Sequence, residues 1–519
     1  MNVRKWEYWL APVLLVMLVC AGTYGLMHRT AAQWRPRLVI LMVIDTLRAD
    51  HLGCYGYSRD TSPNIDRVAR EGTLFENVFS QSNTSLFSSL SLMTGRYPER
   101  FGALDYSTFH LPDSAETIAS VLRSYGFRTG GFVAGGHWKH VFGLGRGFDV
   151  YQDSHDFGSF HDTFPLAMQW LENLPRQAPA FMLLHGYDLH SPYKKPLFFS
   201  HLYDRGYRGI ANEIVRVPDG VDDIYGGDYF IERPVLTRRN GTRWSHGQLV
   251  ISASYYDILA RMKRDNAPHI ALTPADVRHI SALYDGCIRY ADVYVGLLLA
   301  RLHKLGLDRR TLLVIIGDHG ECMGDDGFFG HQSYLRDDQV HVPFIVWGPG
   351  GVPAGQRIAQ VTQLVDLAPT IWSYALGSRF TAGSSPAGGR PGGGASGDAP
   401  AGGGQAGDLC PPVDGQSLRP LIEGRVPQNP DAAAFSEGVR AMMSVRTAGA
   451  RLLCLARPSN AIPPLGPAFY RYFVVKHGKE QDAPLTGEQP RRLWQMLQRW
   501  SLEVIASHHV PDSSLAPSP

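Results

Sequence analysis

An α/β fold with a largely parallel central sheet is predicted by three features of this 519-residue chain. Two short unbroken apolar runs, LVILMVI over 38–44 and LLVII over 312–316, read as strands covered on both faces. Strand and helix signals alternate between and after them, the order that builds βαβ units. Both runs also empty directly into polar groups: Asp45 follows the first, and Gly317-Asp318-His319 follows the second. Ligands collect at the carboxyl ends of strands in such sheets, so these groups can converge.

The remaining elements follow in chain order. Asp113-Ser-Ala-Glu116 has capping-box spacing and is expected to open a helix with Ile118, Val121, Leu122 and Tyr125 on its apolar face, stopped by Gly126. Phe132-Val133 belongs to a short strand, and Ala180 to Leu184 forms another that ends near His185. Thr273-Pro274 starts a long amphipathic helix that buries Ile280, Leu283, Cys287, Ile288, Val295, Leu298 and Leu302 and stops at Gly306. Residues 196–268 have no clear periodicity and read as a surface insertion near the site. Residues 379–412 are rich in Gly, Ala and Pro, a composition that buries no core and marks a linker. Beyond it, 413–519 read as a small α+β subdomain: 441–446 and 451–455 resemble a strand pair, and 493–505 an amphipathic helix. The large domain then occupies 36–378, after an N-terminal anchor and stalk over 1–35.

The anchor rests on the uncharged, mostly apolar segment 9–27, just long enough to cross a bilayer, preceded by Arg4 and Lys5. Those charges keep the N-terminus cytoplasmic, which implies a single-pass protein of the inner or plasma membrane with its main domain on the periplasmic or extracellular side. A cleaved signal peptide, with Val19-Cys20-Ala21 at its end, is the alternative. A net charge of +2 and the lack of a basic, aromatic-interleaved stripe exclude any electrostatic case for nucleic acid. The six cysteines are scattered without metal-ligand spacing, and most are expected to be buried thiols.

Several motifs carry a family resemblance. The stretch 43–57, VIDTLRADHLGCYGY, resembles the opening metal motif of the sulfatase family, and 61–72, TSPNIDRVAREG, the segment that follows it. SLMTGRYP over 91–98 is similar to the family's stretch after the nucleophile. GDHGE over 317–321, Gly330-His331 and VPFIVWGPG over 342–350 resemble the late metal motif and its trailing strand, with a weaker echo in DGQSLRPL over 414–421. The resemblance implies an alkaline-phosphatase-like α/β sandwich. It also implies one divalent metal ion, calcium or magnesium with manganese or zinc as alternatives, held by Asp45, Asp318, His319 and the side chain at position 85.

The chemistry accounts for these residue types. Cleaving a sulfate or phosphate-type ester requires an anionic group to be stabilised while a nucleophile attacks in line, and a hard cation held by carboxylates does both. Counting back from Thr94-Gly95-Arg96 places the family's nucleophile at Ser85, with Thr84 as the neighbouring alternative. The other reading is that both hydroxyls merely cap a helix beginning near Leu86. LHGYDLHSPY over 184–193 resembles the segment bearing a substrate-contacting histidine, here His190. His331 falls where relatives place a cationic or imidazole side chain near the leaving group. Lys194 is a further candidate charge.

Three departures qualify the resemblance. Thr46 replaces the second Asp of the usual opening pair. Residues 135–139 read GGHWK where the family carries Gly-Lys-Trp-His, so only Lys139 is available for the lysine role. Phe87 and Ser89 stand where formylglycine-bearing relatives have Pro and Arg, so Ser85 is expected to act unmodified. The resulting expectation is a metal-dependent hydrolase of sulfate or phosphate-type esters, acting on a small anionic ester or on an envelope glycan or lipid. A phospho-alcohol transferase and a catalytically inactive binding protein are the alternatives.

Overall fold

The computed structural model describes residues 34–102, 109–175, 177–191, 193, 195–209, 273–324, 329–331, 335–377, 411–438, 442–454, 470–476, 479–484 and 487–506. Segment 9–27 lies outside this set, as do Lys194, most of the 196–268 insertion, the linker over 379–410, Cys20 and Cys410. Among the described residues, no helix is long and apolar enough to cross a membrane.

The centre is an eight-stranded sheet. Its strands are β1 (Leu38–Ile44), β2 (Thr73–Phe79), β3 (Arg128–Phe132), β4 (Val150–Gln152), β5 (Ala180–Gly186), β6 (Thr311–Gly317), β9 (Phe344–Trp347) and β10 (Gln356–Gln363), with β7 (Cys322–Met323) and β8 (Phe329–Gly330) forming a small separate hairpin. The spatial order is β10-β2-β9-β6-β1-β5-β3-β4. All pairs are parallel except those of β9, which runs against both β2 and β6. The predicted largely parallel α/β sheet is therefore the observed one.

The apolar run of β1 is explained by the two layers around it. Val39, Leu41 and Val43 enter one core, with the helices Ser85–Thr94, Ile118–Ser124 and Leu367–Leu376; Leu38, Ile40, Met42 and Ile44 enter the other, with Pro63–Glu71, Phe160–Glu172 and Pro274–Lys304. Each side chain so buried contributes roughly 1.5–3 kcal/mol, which is why no polar residue interrupts the strand. The long helix starts at Pro274 with Thr273 as its N-cap, in a capping box with Asp276, and the predicted apolar face is buried. Gly306, at φ +65°, supplies the left-handed stop that a side chain would strain.

One cap is corrected. The Ile118–Ser124 helix is capped by Thr117, whose hydroxyl accepts from the Ser120 N–H while Ser120 returns the bond, not by Asp113. Asp113 instead meets Arg146. Thr117 has the extended backbone a cap needs (φ −115°, ψ 167°), which puts the helix start four residues later.

The C-terminal region forms a second, antiparallel sheet in sequential order: β11 (Ala434–Gly438), β12 (Met442–Arg446), β13 (Ala450–Cys454), β14 (Tyr470–Lys476) and β15 (Lys479–Ala483). The Glu488–Ala506 helix covers it, laying Leu493, Leu497, Trp500 and Val504 on Met443, Val445 and Leu452 at helical spacing. Before that sheet begins, Val413, Leu418, Leu421 and Ile422 pack into the first core. Cys54, Cys287, Cys322 and Cys454 are free thiols, and all but Cys54 are buried.

Candidate active site

The sheet register brings three strand ends level. Ile44 of β1 is paired with Gly186 of β5 on one side and Gly317 of β6 on the other, so Asp45 and the Asp318-His319 pair leave adjacent strands at the same height, with His185 opposite Val43, two positions before Asp45. Immediately after β1 the chain turns through Thr46 at φ +56°. A β-branched residue in the left-handed region is strained, and such strain concentrates at functional sites. The turn directs the Thr46 N–H onto Asp318 Oδ1 at 3.1 Å, and the His319 N–H donates to the same oxygen at 2.8 Å.

Ser85 completes the cluster. It is the first residue of the Ser85–Thr94 helix, whose N-terminal dipole favours an anionic oxygen there. Its Oγ donates to Asp45 Oδ2 at 3.1 Å and lies 3.0 Å from His319 Nε2. Thr84 holds the cap position but makes no side-chain capping bond; its hydroxyl lies against Ser82 Oγ at 3.1 Å. The geometry thus brings Ser85, not Thr84, to the carboxylates, and neither hydroxyl caps the helix. Phe87 is buried, and Ser89 Oγ donates to its own helix at the Leu86 carbonyl, 2.7 Å away.

Asp45, Asp318 and His319 are all fully buried, and their donor atoms lie within 4.8 Å of one another. Asp45 Oδ1 and Asp318 Oδ2 have no hydrogen-bond partner. Burial, followed by the neighbouring charge of Asp318, pushes the Asp45 carboxyl well above its ordinary range. Two buried carboxylates in this relation are not both ionised unless a cation joins them. His319 is arranged to help: its Nδ1 meets the Gly320 carbonyl at 2.9 Å and must carry the hydrogen, leaving the Nε2 lone pair facing Ser85. Burial lowers this imidazole to about 4, which keeps it in the neutral, ligating form. Two bare carboxylate oxygens, a neutral imidazole nitrogen and a hydroxyl fit a hard divalent cation.

A second tier of histidines borders the cluster. The His331 ring is 4.7 Å from that of His319 and 5.1 Å from that of His190. His331 Nδ1 meets the buried Glu321 at 3.2 Å, and His190 Nδ1 meets the Ser191 carbonyl at 2.8 Å. Asp45, Ser85, His190, Asp318, His319 and His331 are therefore in one neighbourhood. Lys139 is not: it pairs with the exposed Asp156. Two residues were missed. Glu321 closes the GDHGE motif, and His185 follows the apolar run 180–184. An ionisable residue closing a buried strand is the same signal that picked out Asp45 and Asp318.

The fold that carries this site has alkaline-phosphatase-like architecture. The family follows: the sulfatase family profile matches residues 37–378, and the chain belongs to that family. It is 27% identical to human iduronate 2-sulfatase over 387 residues, 66% of this chain but only 64% of that enzyme's length. A structure solved with its substrate D-glucosamine-2-N,6-O-disulfate superposes with a TM-score of 0.62 at 18% identity, covering 92% of this chain and 99% of the other. The phosphonate monoester hydrolase of Agrobacterium radiobacter superposes with a TM-score of 0.60 at 18% identity, over 91% and 96% of the two chains.

Proposed function

We propose that this chain is a metal-dependent hydrolase of sulfate or phosphonate-type esters in which Ser85 is the unmodified nucleophile. The carrying observation is the convergence of Asp45, Asp318, His319 and Ser85 with two buried carboxylate oxygens lacking partners. A divalent cation, calcium or magnesium with manganese or zinc as alternatives, would polarise the ester oxygens there and lower the pKa of the attacking hydroxyl. Ser85 Oγ attacks sulfur or phosphorus in line, directing its proton at Asp45 Oδ2. The S–O or P–O bond to the alcohol breaks, and His190 or His331 supplies the proton that the leaving oxygen takes. Water then cleaves the seryl ester and releases the inorganic anion or phosphonate.

The sugar sulfates in the names of the similar proteins make a sulfated hexosamine or uronate the first natural substrate to test. Phe87 and Ser89 support phosphonate as the second ester class, because the formylglycine signature is absent. Segment 9–27 supports a single-pass anchor with the site outside the cytoplasm, within reach of envelope glycans.

The purified full chain should turn over an aryl sulfate or an aryl phosphonate monoester only with added divalent metal, and Ser85→Ala should lower kcat by at least about 10³-fold. A chain that binds metal stoichiometrically yet cleaves no sulfate, phosphate or phosphonate ester would overturn the hydrolase reading in favour of a transferase or a binding protein.

A further inference from the structure

We propose that His185 is a further catalytic residue, whose Nε2–H donates to an oxygen of the tetrahedral anionic group while Ser85 attacks it; this rests on the ester-hydrolase reading above. His185 is fully buried near the end of β5, level with Val43 of β1 and one residue before the strand ends. Its tautomer is set by the backbone. The Ala134 N–H reaches His185 Nδ1 at 3.4 Å, and an amide can only donate, so Nδ1 accepts and Nε2 carries the hydrogen. That Nε2 has no hydrogen-bond partner. Asp45 Oδ2 lies 3.8 Å from it, too far for a bond but on the same side as the cluster.

Buried N–H groups without an acceptor are rare in native proteins and costly to keep. The ring also has no freedom to find one elsewhere. Trp138 stacks on it with centroids 4.8 Å apart, and Tyr187 meets it edge-on at 4.7 Å. Tyr187 is itself held, since its hydroxyl accepts from the His137 N–H at 3.1 Å. The donor is thus clamped, fully buried and on the side of Asp45 Oδ2, the oxygen that Ser85 also meets. A fixed donor in a water-excluded site is the arrangement that stabilises charge developing on a reacting group. The adjoining segment leaves this task to His185, because Lys139 is turned to Asp156. An oxygen of a sulfate or phosphonate group supplies the acceptor that the chain itself lacks.

Two variants separate this role from packing. His185→Phe keeps an aromatic ring between Trp138 and Tyr187 but removes the N–H, whereas His185→Gln returns an N–H at similar reach. With the full chain and magnesium, His185→Phe should lower kcat/KM for the preferred aryl ester by about 10²–10³-fold, the range for one such donor. Binding of inorganic phosphate, followed by calorimetry, should weaken about tenfold, while magnesium affinity and the thermal midpoint stay at parental values. His185→Gln should recover at least tenfold of the lost kcat/KM. Parental phosphate affinity in His185→Phe would overturn the proposal, and so would equal impairment of both variants with magnesium binding lost. If the parent chain turns over no ester, the hydrolase reading fails, and the phosphate titration alone then decides whether His185 is an anion donor.

Discussion

Two buried acidic clusters lie on the same domain, and only one of them is complete. Asp285, on the Pro274–Lys304 helix, is fully buried, and both of its oxygens are engaged: His51 Nδ1 reaches one at 2.7 Å, while the Tyr57 hydroxyl and Arg59 reach the other at 2.8 and 2.5 Å. Asp45 and Asp318 are equally buried, yet each keeps one oxygen without a partner. Burial of a carboxylate therefore does not distinguish structure from function. What separates the two clusters is whether the chain supplies all the partners. The Asp285 network ties the β1 loop to the long helix and is finished; the Asp45–Asp318 network leaves two oxygens unmet.

The comparison makes opposite stability predictions for the two carboxylates. Asp285→Asn should destabilise the metal-free protein by about 2–3 kcal/mol, below the ~3–5 kcal/mol typical of breaking a buried pair because Arg59 reaches solvent. Asp45→Asn should leave the metal-free protein as stable or more so, since it removes one of two repelling buried acids, while abolishing stabilisation by added magnesium. Urea melts with and without the metal would show this, and equal destabilisation by both substitutions would end the distinction.

Acidity sharpens it further. Burial lowers His319 to about 4 and His185 to about 3 from an ordinary 6.5. Their folded values are depressed, so their contribution is complete above pH 6.5 and is lost as pH falls toward 4, by up to about 1.4 kcal/mol per unit per group. Asp45 has the opposite sign. Its raised carboxyl favours the metal-free fold at low pH, and that contribution disappears as pH rises through its folded value. Bound metal relieves the carboxylate repulsion, so the stability gap between magnesium-loaded and metal-free protein should widen from pH 4 to pH 8. Denaturation midpoints across that range measure the gap, and a constant gap contradicts the ligand assignment.

The smallest effect concerns the turn that joins the two carboxylates. Thr46→Gly should relieve left-handed strain and raise the unfolding free energy by about 1 kcal/mol. Because the Thr46 N–H to Asp318 is retained by glycine, magnesium affinity should change little; a large loss would mean that the buried Thr46 hydroxyl is itself a ligand.

How much of this was legible depended on how strongly each element is constrained. Strands β1 and β6 sit at the middle of the sheet and are coated on both faces, so their apolar runs end sharply and point directly at Asp45 and Asp318. Toward the edges that signal fades. β4 has three residues, and β10 mixes buried and open positions over QRIAQVTQ without a regular alternation, so neither stands out from a loop. The helix start at Thr117 was misplaced because Asp113 to Glu116 offers the same spacing of residue types, and only backbone angles decide between two such caps. Ser85 was placed by counting within a motif; its contact with His319 depends on a long-range approach over more than 200 positions, which no local pattern encodes. His185 is followed only by Gly186 in β5 and is as buried as the apolar residues before it, so the run marks a strand without marking its one ionisable side chain.

The Ser85–Thr94 helix has one further property with a practical consequence. All ten of its residues are buried, and its far end is gripped from a distant part of the chain. The Gly95 carbonyl accepts from the Asp414 N–H at 2.8 Å, and Asp414 Oδ2 in turn accepts from the Tyr97 N–H at 3.0 Å. Arg100 binds the same aspartate, so a strap more than 300 positions downstream anchors the rod that carries Ser85. A ribosome making this protein will have finished both carboxylate-bearing strands long before it makes that strap. The far end of the Ser85–Thr94 helix is accordingly fastened only after both carboxylate-bearing strands have been made.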